Sequence, residues 1–181
     1  MSVSPALRFT YEDYLLLPED RRYEIIDGEL FMTPAPTPYH QIVAGNLYSL
    51  LKEHVQKREL GQVLFAPCDV LLSETDIVQP NVLFISKERA SIIGEKYISA
   101  APDLVVEVLS PATAGRDQTL KKKLYAQRGV RELWFASPEA KSVEVLVNSG
   151  DSFRREGIYG TGDTLRSPLL PERKIPITSV F

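Results

Sequence analysis

Glu107 and Lys121 are the residues whose types and positions could do chemistry. Glu107 lies in the middle of an aliphatic run at residues 104–109, between Pro102 and Pro111. Such a run is typical of a short strand that is buried on both faces inside a sheet. A carboxylate in that position costs free energy unless it is paired, protonated or bound to a metal. Glu107 is therefore either a structural ion-pair partner or a functional ligand.

Lys121 lies on the next predicted element. Residues 113–129 predict a helix with apolar positions at Leu120, Leu124 and Tyr125. At about 100° per residue, Lys121 and Asp117 fall on the apolar side, whereas Lys122 and Lys123 face away. Lys121 therefore either lays its aliphatic stem along the apolar surface with its charge in water, or serves as a partner of Glu107.

Two acidic groups on neighbouring strands, about 4.8 Å apart, with a lysine beside them would suit phosphodiester hydrolysis. Carboxylate oxygens can hold Mg²⁺, which polarises a phosphoryl oxygen and lowers the pKa of a bound water. The lysine can orient that water or stabilise charge on the phosphate. This chemistry needs at least two acidic ligands, and Glu107 supplies one of them.

An N-terminal β-hairpin is predicted over residues 23–32, because Asp-Gly at residues 27–28 between two apolar runs is a strong type I′ turn signal. With a two-residue turn, alternation puts four side chains on one face, namely those of Glu24, Ile26, Glu29 and Phe31. Because Glu24 and Glu29 share it, we expect this face to be solvated.

A helix of about five turns is predicted next, with Thr37 as its cap, Pro38 at its first position and Gly61 as its stop. His40 points to the apolar side of its first turn. Two interpretations are open for His40. It is a half-buried histidine with its hydrogen bonds satisfied, which we favour, or it contacts a phosphate at the helix N-terminus.

The remaining pattern predicts an α/β domain around a mixed sheet. A capping box at Thr10 predicts a short helix over residues 11–17. Further strands are predicted at residues 62–72, 77–86, 131–136, 142–147 and 152–156. Pro80 cannot donate a ladder hydrogen bond, so that end of its strand should be an edge or a bulge. We expect the chain from Gly157 onward to wrap the surface.

Composition sets the class of protein. The chain has 181 residues, of which 44% are hydrophobic and 25% charged, which suits one domain over residues 1–181. A formal net charge of -3 requires any nucleic-acid partner to meet a local basic patch. The single cysteine, Cys68, fits a reducing compartment. Residues 1–6 show no signal-peptide pattern, and no apolar stretch approaches the roughly 20 residues of a membrane span. We therefore expect a cytoplasmic protein without membrane contact.

Several segments together resemble the Uma-type family of bacterial endonucleases, formerly a domain of unknown function. The matching segments are Tyr23-Glu24-Ile25-Ile26-Asp27-Gly28-Glu29, Thr33-Pro34-Ala35-Pro36 with His40, Ala66-Pro67-Cys68-Asp69-Val70, Val78-Gln79-Pro80-Asn81, residues 101–111 around Glu107, Asp117 through Lys121 to Tyr125, and Ser167-Pro168-Leu169-Leu170-Pro171. This resemblance covers nearly the whole chain. It implies the restriction-endonuclease-like fold of the PD-(D/E)XK superfamily, with a central mixed β-sheet flanked by helices.

The resemblance also implies roles for individual residues. Glu107 becomes a carboxylate ligand of Mg²⁺ or Mn²⁺. Asn81 occupies the position of the other ligand, where the family typically has Asp. The superfamily lysine normally lies two residues after the glutamate, where this chain has Leu109; related families move it to the following helix, which Lys121 fits. Auxiliary candidates in the matching segments are Glu24, Glu29, His40 and Gln79.

Asn81 is the departure that matters for function. An amide offers a carbonyl oxygen but no charge, so the metal should bind much more weakly than with aspartate. Asp69 could compensate only if it points into the same site. The resemblance thus implies a Mg²⁺-dependent DNA endonuclease whose activity we expect Asn81 to impair.

Two other hypotheses stay open. The chain could be a catalytically inactive protein of the same fold that binds nucleic acid or another protein, or Glu107 and Lys121 could form a purely structural pair. DNA binding would need a basic face, for which the candidates are Arg116, Lys122, Lys123 and Arg128. A homodimer is implied at family level, since two strands need two sites.

Overall fold

A computed structural model describes residues 7–181. Its α-helices are α1 (Tyr11–Tyr14), α2 (Pro38–Lys57), α3 (Ala114–Arg116) and α4 (Lys122–Gln127). Its strands are β1 (Arg22–Ile26), β2 (Glu29–Thr33), β3 (Gly61–Phe65), β4 (Val70–Ser73), β5 (Asp76–Val78), β6 (Val82–Ser86), β7 (Leu104–Val108), β8 (Glu132–Ser137), β9 (Ser142–Asn148), β10 (Phe153–Tyr159), β11 (Thr164–Arg166) and β12 (Lys174–Pro176). The absence of a signal peptide was predicted from residues 1–6, which lie outside the described residues. None of the helices described is long and apolar enough to cross a membrane.

The central element is a six-stranded mixed sheet in the order β10-β9-β8-β7-β6-β3. Its one parallel pair is β7 with β8, which the helical segment from α3 to α4 connects. All five residues of β7 are buried, as predicted. Alternate side chains face opposite ways, so Val106 packs in the cluster around α2, whereas Val105 packs in the cluster that contains Tyr125 of α4. Glu107 shares the parity of Val105, which aims its carboxylate at the helical segment. The predicted α/β class and mixed sheet are confirmed.

The N-terminal hairpin and the long helix form as predicted. In the hairpin, Glu24 pairs with Phe31 and Ile26 pairs with Glu29, the predicted register. Thr37 accepts a hydrogen bond from the backbone N–H of His40 and so caps α2. A capping box at Thr10 begins α1, which ends sooner than predicted.

The predicted strands at residues 62–72 and 77–86 each break in two, which corrects the prediction of continuous strands. β3 and β6 pair within the six-stranded sheet, while β4 and β5 join the hairpin in a separate four-stranded sheet, β2-β1-β5-β4. Pro80 lies in the break between β5 and β6, where its missing N–H costs no ladder bond. This break lets one stretch of chain serve two sheets, and it places residues 79–81 where the sheets meet.

Two further predictions were wrong in part. The helical segment contains a π turn at Asp117–Lys121, whose wider winding shifts the 100° register, and Leu120 is 43% exposed instead of lying on the apolar side. The tail does more than wrap the surface, because five of its side chains are buried in the core around α2: Leu165, Leu170, Ile175, Ile177 and Val180. Strands β11 and β12 pair with each other and hold this tail together.

Candidate active site

Glu107 and Lys121 meet in the interior between β7 and the π turn. The Lys121 Nζ donates to Glu107 Oε1 at 3.0 Å, and both side chains are almost fully buried. The hydroxyl of Tyr125, one turn further along, donates to the same Oε1 at 2.6 Å. The spacing of Asp117, Lys121 and Tyr125 at every fourth residue puts all three side chains on the side of the helical segment that faces Glu107.

Glu24 brings the N-terminal hairpin into this cluster. Its Oε1 lies 2.7 Å from Lys121 Nζ and accepts the backbone N–H of Gln79 at 2.9 Å. Its Oε2 lies 3.2 Å from the guanidinium of Arg116, whose Cζ in turn lies 5.2 Å from the ring centre of Phe31. Glu24 is only 1% exposed, so the prediction that its face is solvated is wrong. Lys121 and Arg116 offset the cost of burying its carboxylate.

Asp117 is the third carboxylate of the cluster. Its Oδ1 lies 3.6 Å from Lys121 Nζ, and that oxygen has no hydrogen-bond partner among the described residues. Three carboxylates therefore face two cations, Lys121 and Arg116, in a largely buried space. This excess of negative charge can accept a further cation or proton.

The cluster shifts the pKa values of its members. Burial raises the pKa of Glu107 despite the opposing charge of Lys121, and Asp117 and Glu24 raise it further. Burial disfavours the charged form of Lys121, but the carboxylates of Glu107, Glu24 and Asp117 outweigh this effect and raise its pKa. Lys121 is therefore a permanent cation at neutral pH and cannot act as a general base.

Asn81 is held next to Glu107 by a hydrogen bond to the backbone of the following residue, Val108. Its Oδ1 accepts the N–H of Val108 at 2.7 Å, while the carbonyl oxygen of Val108 lies 2.9 Å from His40 Nε2. His40 is 8% exposed, and burial lowers its pKa, so it is neutral. One ring nitrogen is satisfied as we favoured, but Nδ1 has no partner among the described residues.

Glu29 and Asp69 lie apart from the cluster, and Gln79 contacts it only through its backbone. Glu29 is exposed at the end of the hairpin and does not reach it. The side-chain amide of Gln79 donates to Asp69 Oδ1 at 2.8 Å, and Tyr14 donates to the same oxygen at 2.9 Å. Asp69 is thus held by α1 and does not line the cavity beside Glu107. Gln79 contributes through its backbone N–H to Glu24.

Only part of the predicted basic face is free to contact nucleic acid. Arg116 is 14% exposed and pairs with Glu24, and Arg128 pairs with Asp76 at 2.6 Å. Each of these two cations is paired with a buried carboxylate. Of the four candidates, Lys122 and Lys123 are left to face outward on α4.

A cavity of about 250 Å³ opens over the cluster. Its wall includes Glu24, Asn81, Glu107, Asp117 and Lys121. No three His, Cys, Asp or Glu side chains of residues 7–181 are arranged to hold a metal ion. The donor chemistry nevertheless fits a hard divalent cation, because the buried oxygens Glu24 Oε2 and Asp117 Oδ1 lack hydrogen-bond partners within the described chain. Glu107 and Asn81 add a carboxylate and a carbonyl oxygen beside them.

Sequence reasoning missed how closely Tyr125 and Asp117 are involved. Tyr125 was assigned to the apolar core, but its hydroxyl donates a hydrogen bond to Glu107. The signal was present, since a polar atom recurs every fourth residue from Asp117 through Lys121 to Tyr125. Such a row facing a buried glutamate predicts a hydrogen-bonded cluster.

The fold and this cluster define a nuclease-like α/β protein, and comparison with known proteins agrees. The profile of the Uma2 family, described as "Putative restriction endonuclease", matches residues 11–178, and the chain belongs to this family. A structure described as that of a putative nuclease belonging to DUF820 from Anabaena variabilis ATCC 29413 superimposes with a TM-score of 0.79. It is 19% identical and aligns over 96% of this chain and 97% of its own, which shows a shared fold. The comparison with curated proteins gives no significant match.

Proposed function

We propose that this chain is a Mg²⁺- or Mn²⁺-dependent endonuclease of the PD-(D/E)XK type that hydrolyses phosphodiester bonds in DNA. The observation that carries this proposal is the buried ammonium of Lys121, held between Glu24 and Glu107 beside an open cavity. Membership of the family supports a nucleic acid as substrate. Apolar residues of similar volume are often at least as stabilising as a buried ion cluster, so stability alone does not explain this one and a functional role explains it better.

Lys121 would act on the substrate as a fixed positive charge. Its raised pKa keeps it protonated, and three carboxylates fix its position. A preorganised ammonium beside the cavity can stabilise the charge that develops on a phosphoryl oxygen during attack. Arg116, which is partly exposed at the same cavity, would help to bind the negatively charged backbone.

Glu107 and Asn81 would hold the cation. When bound, the cation would polarise the phosphoryl oxygen and lower the pKa of the attacking water. Asn81 brings no charge, and its Oδ1 already accepts the N–H of Val108. We therefore propose weak metal binding and low activity. Asp117 and Glu24, whose oxygens Oδ1 and Oε2 form ion pairs but accept no hydrogen bond from the described residues, would supply the missing negative charge.

The alternative is a catalytically inactive protein of the same fold that binds nucleic acid or another protein. The observation that favours it is that one oxygen of Glu107, Oε1, already accepts hydrogen bonds from both Lys121 and Tyr125. The alternative predicts binding of nucleic acid without hydrolysis. A cytoplasmic location stays a prediction. A homodimer also stays a prediction, and analytical ultracentrifugation of the purified protein would measure its oligomeric state.

The test is cleavage of duplex DNA, single-stranded DNA and RNA by native protein, Glu107→Gln and Glu29→Gln with Mg²⁺ or Mn²⁺. We expect Glu107→Gln to lower the rate at least about 100-fold, because it removes the charged metal ligand. Glu29→Gln is the matched control on the exposed hairpin end and should leave the rate unchanged. Equal rates for native protein and Glu107→Gln would overturn the proposal.

A further inference from the structure

A second cavity of about 150 Å³ adjoins the one over the acidic cluster. Arg22, Pro36, His40 and Asn81 line both cavities, so the two spaces are neighbours across a shared wall. The second cavity has no carboxylate in its wall. Its chemistry therefore differs from that of the candidate active site, although a single extended ligand could reach both.

An aromatic pair forms one side of this second cavity. The rings of Tyr48 on α2 and Phe65 on β3 lie 4.6 Å apart between centroids, tilted by 55°. Phe65 is 56% exposed, although it is a large apolar residue on a strand. Lys52 donates to the hydroxyl of Tyr48 at 2.8 Å, which fixes that ring and leaves a cation beside it. An exposed ring next to a cation is a surface on which a planar group can stack.

The wall contributed by α2 is made of small residues. Gly45 is exposed on that helix, and a Cβ built on it would meet no atom within 4 Å. Glycine inside a helix is less stable than alanine, so its presence needs a reason. At this position the missing side chain leaves open space beside Tyr48, and the neighbouring Ala44 is also small.

We propose that this second cavity holds one unpaired nucleobase, stacked on Phe65, while the attached backbone runs past Arg22 and His40 into the candidate active site. The space can take one planar ring system and is too small for a base pair. Arg22 carries the positive charge that the connecting phosphate needs. This inference rests on the proposed function, which it deepens by naming the substrate class.

The substrate would accordingly be a strand with at least one unstacked base: single-stranded DNA, a frayed end, or a duplex from which a base is turned out. Stacking on an aromatic side chain tolerates every base. We therefore expect little sequence preference at this position.

The test measures binding of a fluorescein-labelled oligothymidylate of about 12 nucleotides and of an abasic strand of the same length, by anisotropy in EDTA at fixed salt. For native protein, removal of the bases should raise the Kd about 5- to 150-fold. Phe65→Ala should raise the Kd of the oligothymidylate by a similar factor and leave that of the abasic strand unchanged. If Phe65→Ala weakens both strands equally or neither, or if native protein does not distinguish the strands, the inference is overturned.

Gly45→Leu provides a second variant whose fold is not at risk. Its side chain enters open space in the cavity and favours the helix, so unfolding should not become easier while oligothymidylate binding weakens. Ser49→Leu, one turn further along α2 and exposed, adds a similar apolar group outside the cavity and should leave binding unchanged. Unchanged binding in Gly45→Leu would contradict the base pocket.

Cleavage separates this inference from the proposed function. DNA cleavage that depends on Glu107 but is indifferent to Phe65→Ala and Gly45→Leu would leave the nuclease standing and remove the base pocket. Base-dependent binding that needs Phe65, without cleavage of any nucleic acid, would leave the pocket standing and remove the nuclease.

Discussion

Lys121 lies closer to Glu24 of the N-terminal hairpin than to Glu107 of the central sheet, with Nζ–Oε1 distances of 2.7 Å and 3.0 Å. One ammonium group therefore ties together two sheets and the helical segment that carries it. Because every partner is buried, the cluster couples the docking of the hairpin to the geometry of the site. Replacing any residue of the cluster should therefore lower both the free energy of unfolding and the activity.

Replacing Lys121 should destabilise the protein strongly. Lys121→Met keeps the stem but leaves three buried carboxylates without their central cation, which should cost about 3–5 kcal/mol in the free energy of unfolding. Urea denaturation measures this cost. Lys123→Met, two residues along and exposed, should stay within about 0.5 kcal/mol of native protein. A loss below about 1 kcal/mol for Lys121→Met would mean that the carboxylates are largely protonated or hydrated.

Tyr125→Phe tests the hydroxyl that donates to Glu107. The substitution removes a 2.6 Å hydrogen bond to a carboxylate and leaves the ring in the core. We expect a loss of about 1.5–3 kcal/mol in the free energy of unfolding, the range for hydrogen bonds to charged groups. Tyr159→Phe on β10 is the control, because it removes the same hydroxyl group away from the cluster, and it should have a small effect on the free energy of unfolding. Equal stabilities for Tyr125→Phe and native protein would contradict the hydrogen bond.

The stability of metal-free protein should depend on pH through Glu107. Burial raises its pKa from the ordinary 4.5 to about 7, so the folded state holds the proton more tightly than the unfolded state. The free energy of unfolding should therefore fall as the pH rises from 4.5 to about 7, by at most about 1.4 kcal/mol per pH unit. Denaturation in EDTA, compared with Glu107→Gln, isolates this contribution because the other titrating groups are common to both proteins. A difference between the two proteins that does not change with pH would show that Glu107 keeps one protonation state.

Local pattern was enough to predict the elements that carry the site. The apolar run around Glu107, the turn signal after Glu24 and the cap at Thr37 each act within a few residues, and all three formed as predicted. The burial of Glu24 could not be predicted, because it depends on Arg116 and Lys121 arriving from a distant segment. Helical periodicity likewise could not show the π turn that exposes Leu120.

The part played by Asn81 also lay beyond the sequence. Its position after a Gln-Pro pair predicted a weak metal ligand, a role that stays a prediction. The structure adds that its carbonyl oxygen anchors the N–H of Val108, directly after Glu107. This bond links the residue before β6 to the last residue of β7, close to the break between β5 and β6 at Pro80. No local sequence pattern could have predicted it.

Asn81→Asp should strengthen metal binding. The carboxylate can still accept the N–H of Val108 and adds a charge beside Glu107, so we expect the Kd for Mn²⁺ to fall at least about tenfold. Isothermal titration calorimetry measures the change. Asn81→Ala, which removes both the carbonyl ligand and the bond to Val108, should bind more weakly than native protein. The same affinity in all three proteins would remove Asn81 from the metal site.

The most direct measurement is DNA cleavage with Mg²⁺ or Mn²⁺ by three proteins side by side: native, Asn81→Asp and Glu107→Ala. We expect slow cleavage by native protein, faster cleavage by Asn81→Asp and none above background by Glu107→Ala. Cleavage that survives in Glu107→Ala, or no cleavage by either native protein or Asn81→Asp, would contradict the assignment of Glu107 and Lys121 to catalysis.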